Sequence, residues 1–99
     1  MILMVEHRVS DFDEWKRGFD AHRPVQERYG ATGYLIYRRE DDPQVVAVVM
    51  QFPGKEQLEG FVGDPSLGEA MANAGVVGVA QVRTYTEAGA EQLPGRIAA

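Results

Sequence analysis

The stretch VVAVVMQF, residues 45–52, limits what this chain can fold into more than any other part of it. A short run of β-branched and apolar residues predicts a strand. Because side chains point alternately to the two faces of a strand, both faces of this one are apolar. An antiparallel sheet with one wet face would alternate apolar and polar residues, so this strand is expected to be covered on both sides.

Three other segments predict strands, at residues 2–9, 32–39 and about 78–87. The turn residues EDDPQ lie between the second and third strands, which predicts that these two form a hairpin.

A helix is predicted to begin at Ser10 or Asp11, because both are good N-caps and each has an acid three residues later. At about 100° per residue, its apolar and aromatic positions form one face that would pack on the sheet. Those positions are Phe12, Trp15, Phe19, His22 and Tyr29. Pro24 predicts a break near His22, followed by a separate turn that ends at Gly30.

Two further helical segments are predicted after the third strand, one around Leu58 and one with Asp64 as its N-cap and Pro65 at its first position. The order β-α-β-β-α-β is that of the ferredoxin-like α+β sandwich, an antiparallel sheet with helices on one face. We predict one such domain over residues 1–87 and a C-terminal tail at 88–99.

This architecture leaves the other face of the sheet bare, and the sheet of a second subunit is the candidate cover for it. A chain of 99 residues buries only about two thirds of its unfolded surface, so a partner would also add stability. We therefore predict a homodimer whose facing sheets enclose a barrel-like space, of the kind that holds ligands.

The composition argues against several classes of partner. The net charge is −5 and the basic residues are scattered among acids, which predicts neither a nucleic-acid partner nor a membrane partner. Cysteine is absent, and the two histidines show no ligand spacing, so no metal or other cofactor is predicted. The apolar run at 45–50 is too short to cross a bilayer and MILMVEH is unlike a signal peptide, so we expect a cytoplasmic protein.

Three stretches of the sequence resemble a known family: HRVSDFDEWKRGFD, GATGYLIYRREDDP and DPSLGEAMANAGVVG. With the β-branched strand, they resemble the small dimeric α/β-barrel proteins grouped with antibiotic-biosynthesis monooxygenases and aromatic polyketide cyclases, over roughly residues 3–87. The resemblance implies a ferredoxin-like fold, a homodimer, and a cavity between the sheet and helices of each subunit that binds polycyclic, quinol-like or porphyrin ligands. The asparagine, tryptophan and histidine of the heme-degrading branch are not matched here, so no catalytic residue is carried over.

Among the candidate site residues, His7 is either a general base or a hydrogen-bonded histidine at the end of the core. Trp15 and Phe19 are expected to pack on the sheet, and the same positions can line a pocket. His22 is interpreted as capping the end of its helix, or as reaching the mouth of a pocket.

The remaining candidates are polar residues on other strands. Tyr34 with Arg38, and Tyr37 with Arg39, point to opposite faces of the second strand, and either pair can bind an enolate or be sheet cover. Arg83 lies in a polar row on the last strand, and with Gln51 that row is either a dimer rim or a pocket wall.

The function predicted from this resemblance is cofactor-free cyclisation or oxygenation of an enolisable aromatic or apolar metabolite. His7 is the predicted base and Arg38 the predicted stabiliser of the oxyanion, with Tyr37 or Arg83 as substitutes. The predicted ligand-binding residues are Trp15, Phe19, His22, Tyr37, Gln51 and Arg83. The alternatives are a non-catalytic ligand-binding or stress-related module, and an interaction protein without a pocket.

Overall fold

A computed structural model describes residues 1–91, so most of the predicted tail at 88–99 lies outside the described residues. The strands are β1 (Ile2–Val9), β2 (Gly33–Arg38), β3 (Val45–Gln51) and β4 (Val76–Tyr85). The helices are α1 (Phe12–Ala21), α2 (Arg23–Arg28), α3 (Lys55–Val62) and α4 (Pro65–Asn73). The predicted alternation of strands and helices is confirmed.

The four strands form one antiparallel sheet in the order β2-β3-β1-β4. This order, with the helices on one face, is the predicted ferredoxin-like fold. The register places Val5 of β1 beside Val48 of β3 and Val82 of β4. The same row continues to Ile36 of β2, so these side chains all point to the helix-covered face.

The core lies between the helices and this face of the sheet. Its buried strand residues are Leu3, Val9, Val46, Val48 and Met50. No helix of residues 1–91 covers the opposite face, and it presents exposed apolar residues such as Leu35 and Tyr37. Ala47 and Val49 of β3 also point to that side, so this strand is apolar on both faces, as the sequence predicts.

The first helix begins and ends for local reasons. The Asp11 side chain accepts a hydrogen bond from the Glu14 amide at 2.8 Å, which satisfies one of the free amides at the helix start. α1 ends at Ala21, and α2 begins at Arg23 with Pro24 in its first turn. The predicted break is therefore confirmed, and it lies where a proline has no hydrogen bond to lose.

The last strand begins two residues earlier than predicted. Gly75 has a φ of +83°, which lets the chain turn directly from α4 into β4. Val76 and Val77 then pair with β1 before the register shifts, and Gly78, with a φ of +77°, lies in this irregularity. The predicted start at residue 78 corresponds to a bulge inside the strand rather than to its beginning.

Helices α1 and α4 approach closely at Gly18. A β-carbon added there would lie 2.7 Å from the Ala74 β-carbon, which is closer than two such atoms can pack. The missing side chain thus lets α4 lie against α1 above the sheet.

We predict opposite effects for the same substitution at two helical glycines. Gly68→Ala, where an added β-carbon has nothing within 4 Å, should raise the free energy of unfolding by about 0.5–1 kcal/mol through helix propensity. Gly18→Ala gains the same helix propensity, but crowding against Ala74 costs about 1–3 kcal/mol. The free energy of unfolding of this variant should therefore be lower than that of the wild type. Urea denaturation measures both, and equal stabilisation of the two variants would show that the helices are not in close contact.

Candidate functional site

A cavity of about 80 Å³ lies between the helix-covered face of the sheet and helices α1, α3 and α4. Its walls are almost entirely apolar, with Leu3, Val48, Met50, Phe61, Leu67 and Met71 among the lining residues. Val62 and Val82 also line it and are 39% and 49% exposed, so the cavity opens to solvent beside them. A concave apolar space with a few polar groups is the usual form of a small-molecule site.

His7 is a buried polar residue in this wall, with 6% of its surface exposed. Its ring meets the edge of Trp15 at a centroid distance of 5.7 Å. Within residues 1–91, its buried Nδ1 has no hydrogen-bond partner. The alternative of a hydrogen-bonded core histidine therefore has no support at this nitrogen within the described residues. Burial lowers the pKa of His7, so the ring is neutral at pH 7.

The aromatic face of α1 forms one side of the cavity. Trp15 stacks obliquely on Phe19, with ring centroids 5.3 Å apart. Phe19 in turn meets the edge of Tyr34 on β2 at 4.9 Å. The positions that pack the helix on the sheet thus also line the cavity, as the sequence allows.

His22 also lines the cavity, and its side chain does not cap a helix. Its Nε2 lies 3.1 Å from the Ser66 hydroxyl oxygen, which belongs to the first turn of α4. His22 is the C-cap residue of α1, where its backbone N–H donates to the Gly18 and Phe19 carbonyls at 3.2 Å. The cap thus comes from the backbone of His22, while its ring nitrogen bonds to Ser66, 44 residues away. Burial lowers the pKa of His22, and the nearby Asp64 carboxylate partly opposes that shift.

Asp64 holds Ser66, the hydrogen-bond partner of His22, in place. Its carboxylate accepts hydrogen bonds from the Ser66 hydroxyl at 2.5 Å, from the Ser66 amide at 2.9 Å and from the Tyr29 hydroxyl at 2.7 Å. The bonds from Ser66 and then Tyr29 hold the pKa of Asp64 at about 2. Asp64 therefore remains an anion, and it fixes Ser66 in one orientation.

Gln26 lines the cavity and is a polar residue that the sequence did not single out as a site residue. It is 3% exposed, its Nε2 donates to the Phe19 carbonyl at 3.1 Å, and its Oε1 accepts from Arg23 Nε at 3.1 Å. At about 100° per residue, Gln26 falls on the same helical face as Trp15 and Phe19, and this was the available signal. Both ends of the amide are occupied, so Gln26 closes the wall rather than offering a free group.

The other predicted site residues lie away from the cavity. Tyr37, Gln51 and Arg83 point to the sheet face without helices, as their pairing with β3 and β1 shows. Arg38 is on the helix-covered side, but its guanidinium lies 4.3 Å from the ring centre of Phe12 and its Nε donates to the Pro43 carbonyl. The cavity brings together His7, Trp15, Phe19 and His22 only.

Solved structures with the same architecture come from several bacteria. A candidate antibiotic biosynthesis monooxygenase from Deinococcus radiodurans superposes with a TM-score of 0.67 and 11% identity, over 96% of this chain and 100% of that one. A similar candidate from Bordetella bronchiseptica superposes with a TM-score of 0.69 and 18% identity, over 88% of this chain and 96% of that one. This chain shares the ferredoxin-like fold of these two proteins.

A third similar structure is SnoaB, a cofactor-independent oxygenase from Streptomyces nogalater, with a TM-score of 0.67 and 12% identity over 91% of this chain and 96% of that one. No family model and no curated protein matches the sequence. The resemblance seen in the sequence is confirmed for the fold, and at these identities the chemistry is not transferred.

Two other properties concern the part of the chain that the structure describes. No helix there has the length and apolar character needed to cross a membrane. No three side chains of the metal-binding types stand together there as a possible metal site.

Stability should depend on pH because the two cavity histidines resist protonation. Unfolded histidines take up protons as the pH falls through about 6.5, whereas these two, with lowered pKa values, do so only at lower pH. The free energy of unfolding should therefore fall as the pH decreases from 7 to 5. Urea denaturation across this range measures the fall.

His7→Phe should reduce that pH dependence and keep or raise stability at pH 7, because it removes a buried nitrogen that has no partner within the described residues while preserving an aromatic contact with Trp15. A variant less stable than the wild type by more than about 1 kcal/mol at pH 7 would show that the Nδ1 is satisfied in the native protein.

Proposed function

We propose that this protein binds a small aromatic or apolar metabolite in the cavity beneath α1 and acts on it without a cofactor, by oxygenation or aldol-type cyclisation. The observation that carries the proposal is a neutral, buried imidazole in the wall of an apolar, aromatic-walled cavity, whose Nδ1 has no hydrogen-bond partner among residues 1–91. An unpartnered buried polar atom costs about 1–3 kcal/mol, which a ligand that bonds to it would recover.

His7 has the properties of a general base for such a substrate. Its lowered pKa keeps the ring in the form that accepts a proton at pH 7. A carbon acid next to an aromatic ketone, or a phenol, would give its proton to the ring and leave a delocalised enolate or phenolate. The apolar walls keep water from this anion, and such an anion can react with dioxygen or with a second carbonyl of the same molecule.

The position of Arg38 does not support its predicted role as the stabiliser of the oxyanion. Its guanidinium is exposed, stacked over Phe12, and outside the cavity lining. Tyr37, Gln51 and Arg83 are better suited to an interface than to the site, since they lie on the sheet face without helices.

We also propose that two copies of the chain pair through this uncovered face. Leu35, Tyr37 and Tyr85 point outward there and are 58%, 54% and 45% exposed. An apolar sheet face of this kind is typical of a subunit interface rather than of a free surface. A twofold dimer would bury the same residues of both copies.

The dimer is tested by light scattering with two lysine substitutions. Leu35→Lys places a charge on the uncovered face and should shift the protein from dimer to monomer at micromolar concentration. Ala72→Lys adds the same charge on the exposed side of α4 and should leave the dimer intact. A wild-type monomer, or equal behaviour of the two variants, would contradict the proposed interface.

The chemistry is tested by oxygen consumption with 1,8-dihydroxyanthrone, a tricyclic ketone that enolises readily. The wild type should consume oxygen faster than the uncatalysed control, and His7→Ala should lower the rate by at least about 100-fold, the usual contribution of a general base. Quenching of the fluorescence of Trp15, the single tryptophan, reports whether the variant still binds the anthrone.

Retained binding with lost turnover supports catalysis by His7. Unchanged turnover in His7→Ala would contradict the role of this residue. Binding without turnover in the wild type would instead favour a non-catalytic ligand-binding module, an alternative consistent with the lack of a hydrogen-bond partner for His7 Nδ1 among residues 1–91.

A further inference from the structure

We propose that the cavity selects flat aromatic ligands that carry a hydrogen-bonding group at each end, one bound by His7 and the other, a hydroxyl, bound by His22. This inference rests on the proposed function, because it defines the ligand class of the same cavity. It adds a second polar contact for the ligand, at His22, and a reason why the His22 ring holds one orientation.

The hydrogen bonds around Ser66 determine which His22 nitrogen is free. The Ser66 hydroxyl has one hydrogen, and the 2.5 Å contact with Asp64 Oδ1 takes it. At His22 Nε2, the same oxygen can therefore only accept, so Nε2 carries the ring hydrogen. The neutral ring then presents Nδ1 as an acceptor, and the group that suits it is a hydroxyl donor.

The Asp64 carboxylate keeps the Ser66 hydroxyl, and through it the His22 ring, in this orientation. Its side chain is 8% exposed, and the Tyr29 hydroxyl donates to its second oxygen at 2.7 Å. Both oxygens of an ionised carboxylate are thus occupied, and neither can donate a hydrogen to Ser66. Ser66 and Asp64 act as positioning residues for the imidazole.

The two histidines lie toward opposite ends of one aromatic wall. The His7 ring contacts Trp15, and His22 follows Trp15 by seven residues, which is roughly 10 Å along the helix axis. Phe19 lies between them on the same side of α1, and Phe61 packs near His22 at a centroid distance of 5.9 Å. A planar molecule lying along this wall would meet an imidazole ring at each end.

The chemistry at the two ends also excludes some ligands. The free nitrogen of His7 has no charged neighbour in the cavity lining, and the carboxylate near His22 is the anion Asp64. An acid would lose its hydration in apolar surroundings without gaining a cation. Uncharged phenols and hydroxyketones are therefore favoured over carboxylates.

Calorimetric titration with a matched pair of probes tests this inference. The probes are 2-naphthol and 2,6-dihydroxynaphthalene, which differ by one hydroxyl at the far end. The wild type should bind the dihydroxy compound about five- to tenfold more tightly, the effect of one added hydrogen bond. His22→Phe should abolish this preference, so that the variant binds the two probes with equal affinity.

A second variant tests whether the orientation of the His22 imidazole matters, and not only its presence. Ser66→Ala keeps His22 but removes the group that fixes its tautomer, so the preference for the dihydroxy probe should shrink while 2-naphthol binds as before. Circular dichroism checks that both variants are folded. If His22→Phe does not fold, the Ser66→Ala result alone decides: an undiminished preference would overturn the role of the Ser66 contact.

The outcomes distinguish this inference from the proposed function. Binding of both probes with equal affinity to the wild type would overturn the two-ended ligand and leave the cavity as a ligand site. A preference that persists in His22→Phe would place the second contact elsewhere and also overturn the inference. Binding of neither probe would contradict the proposed function itself, and the inference with it.

Discussion

The packing of the aromatic face of α1 on β1 is the contact on which the rest of the structure depends. Trp15 is 3% exposed and meets His7 edge to face, so the helix residue that covers the sheet also encloses the imidazole. Gly18 lets α4 approach the same helix, which completes the cavity from the other side. One set of contacts thus forms the core and the site, so mutations there will affect stability and binding together.

Buried polar groups in this region differ in whether they are satisfied. Gln26 and Asp64 have their hydrogen bonds supplied by the protein, and both hold neighbouring elements in place. The Nδ1 of His7 has none among residues 1–91, and it is the exception that a purely structural role does not explain. A nitrogen that destabilises the free protein and would bond to a ligand is typical of a binding site.

Much of the fold could be predicted from local sequence. The order of the elements follows from helix caps such as Asp11 and from the break at Pro24. The periodicity of each strand shows which residues share a face of the sheet. The cavity could not be placed in this way, because periodicity gives the two faces of a strand without saying which one the helices cover. Tyr37 and Arg83 were candidates for that reason, and the His22–Ser66 contact, 44 residues apart, has no local signal.

The central claim is that a ligand in the cavity bonds to the imidazole of His7. Long-range ¹H–¹⁵N correlation spectra of the two histidines, recorded during titration with 2-naphthol, test this directly, and His7→Phe assigns the signals. We predict that a ring nitrogen of His7 shifts with ligand concentration as a hydrogen bond forms. Saturation of the protein with no change at either His7 nitrogen would contradict the claim.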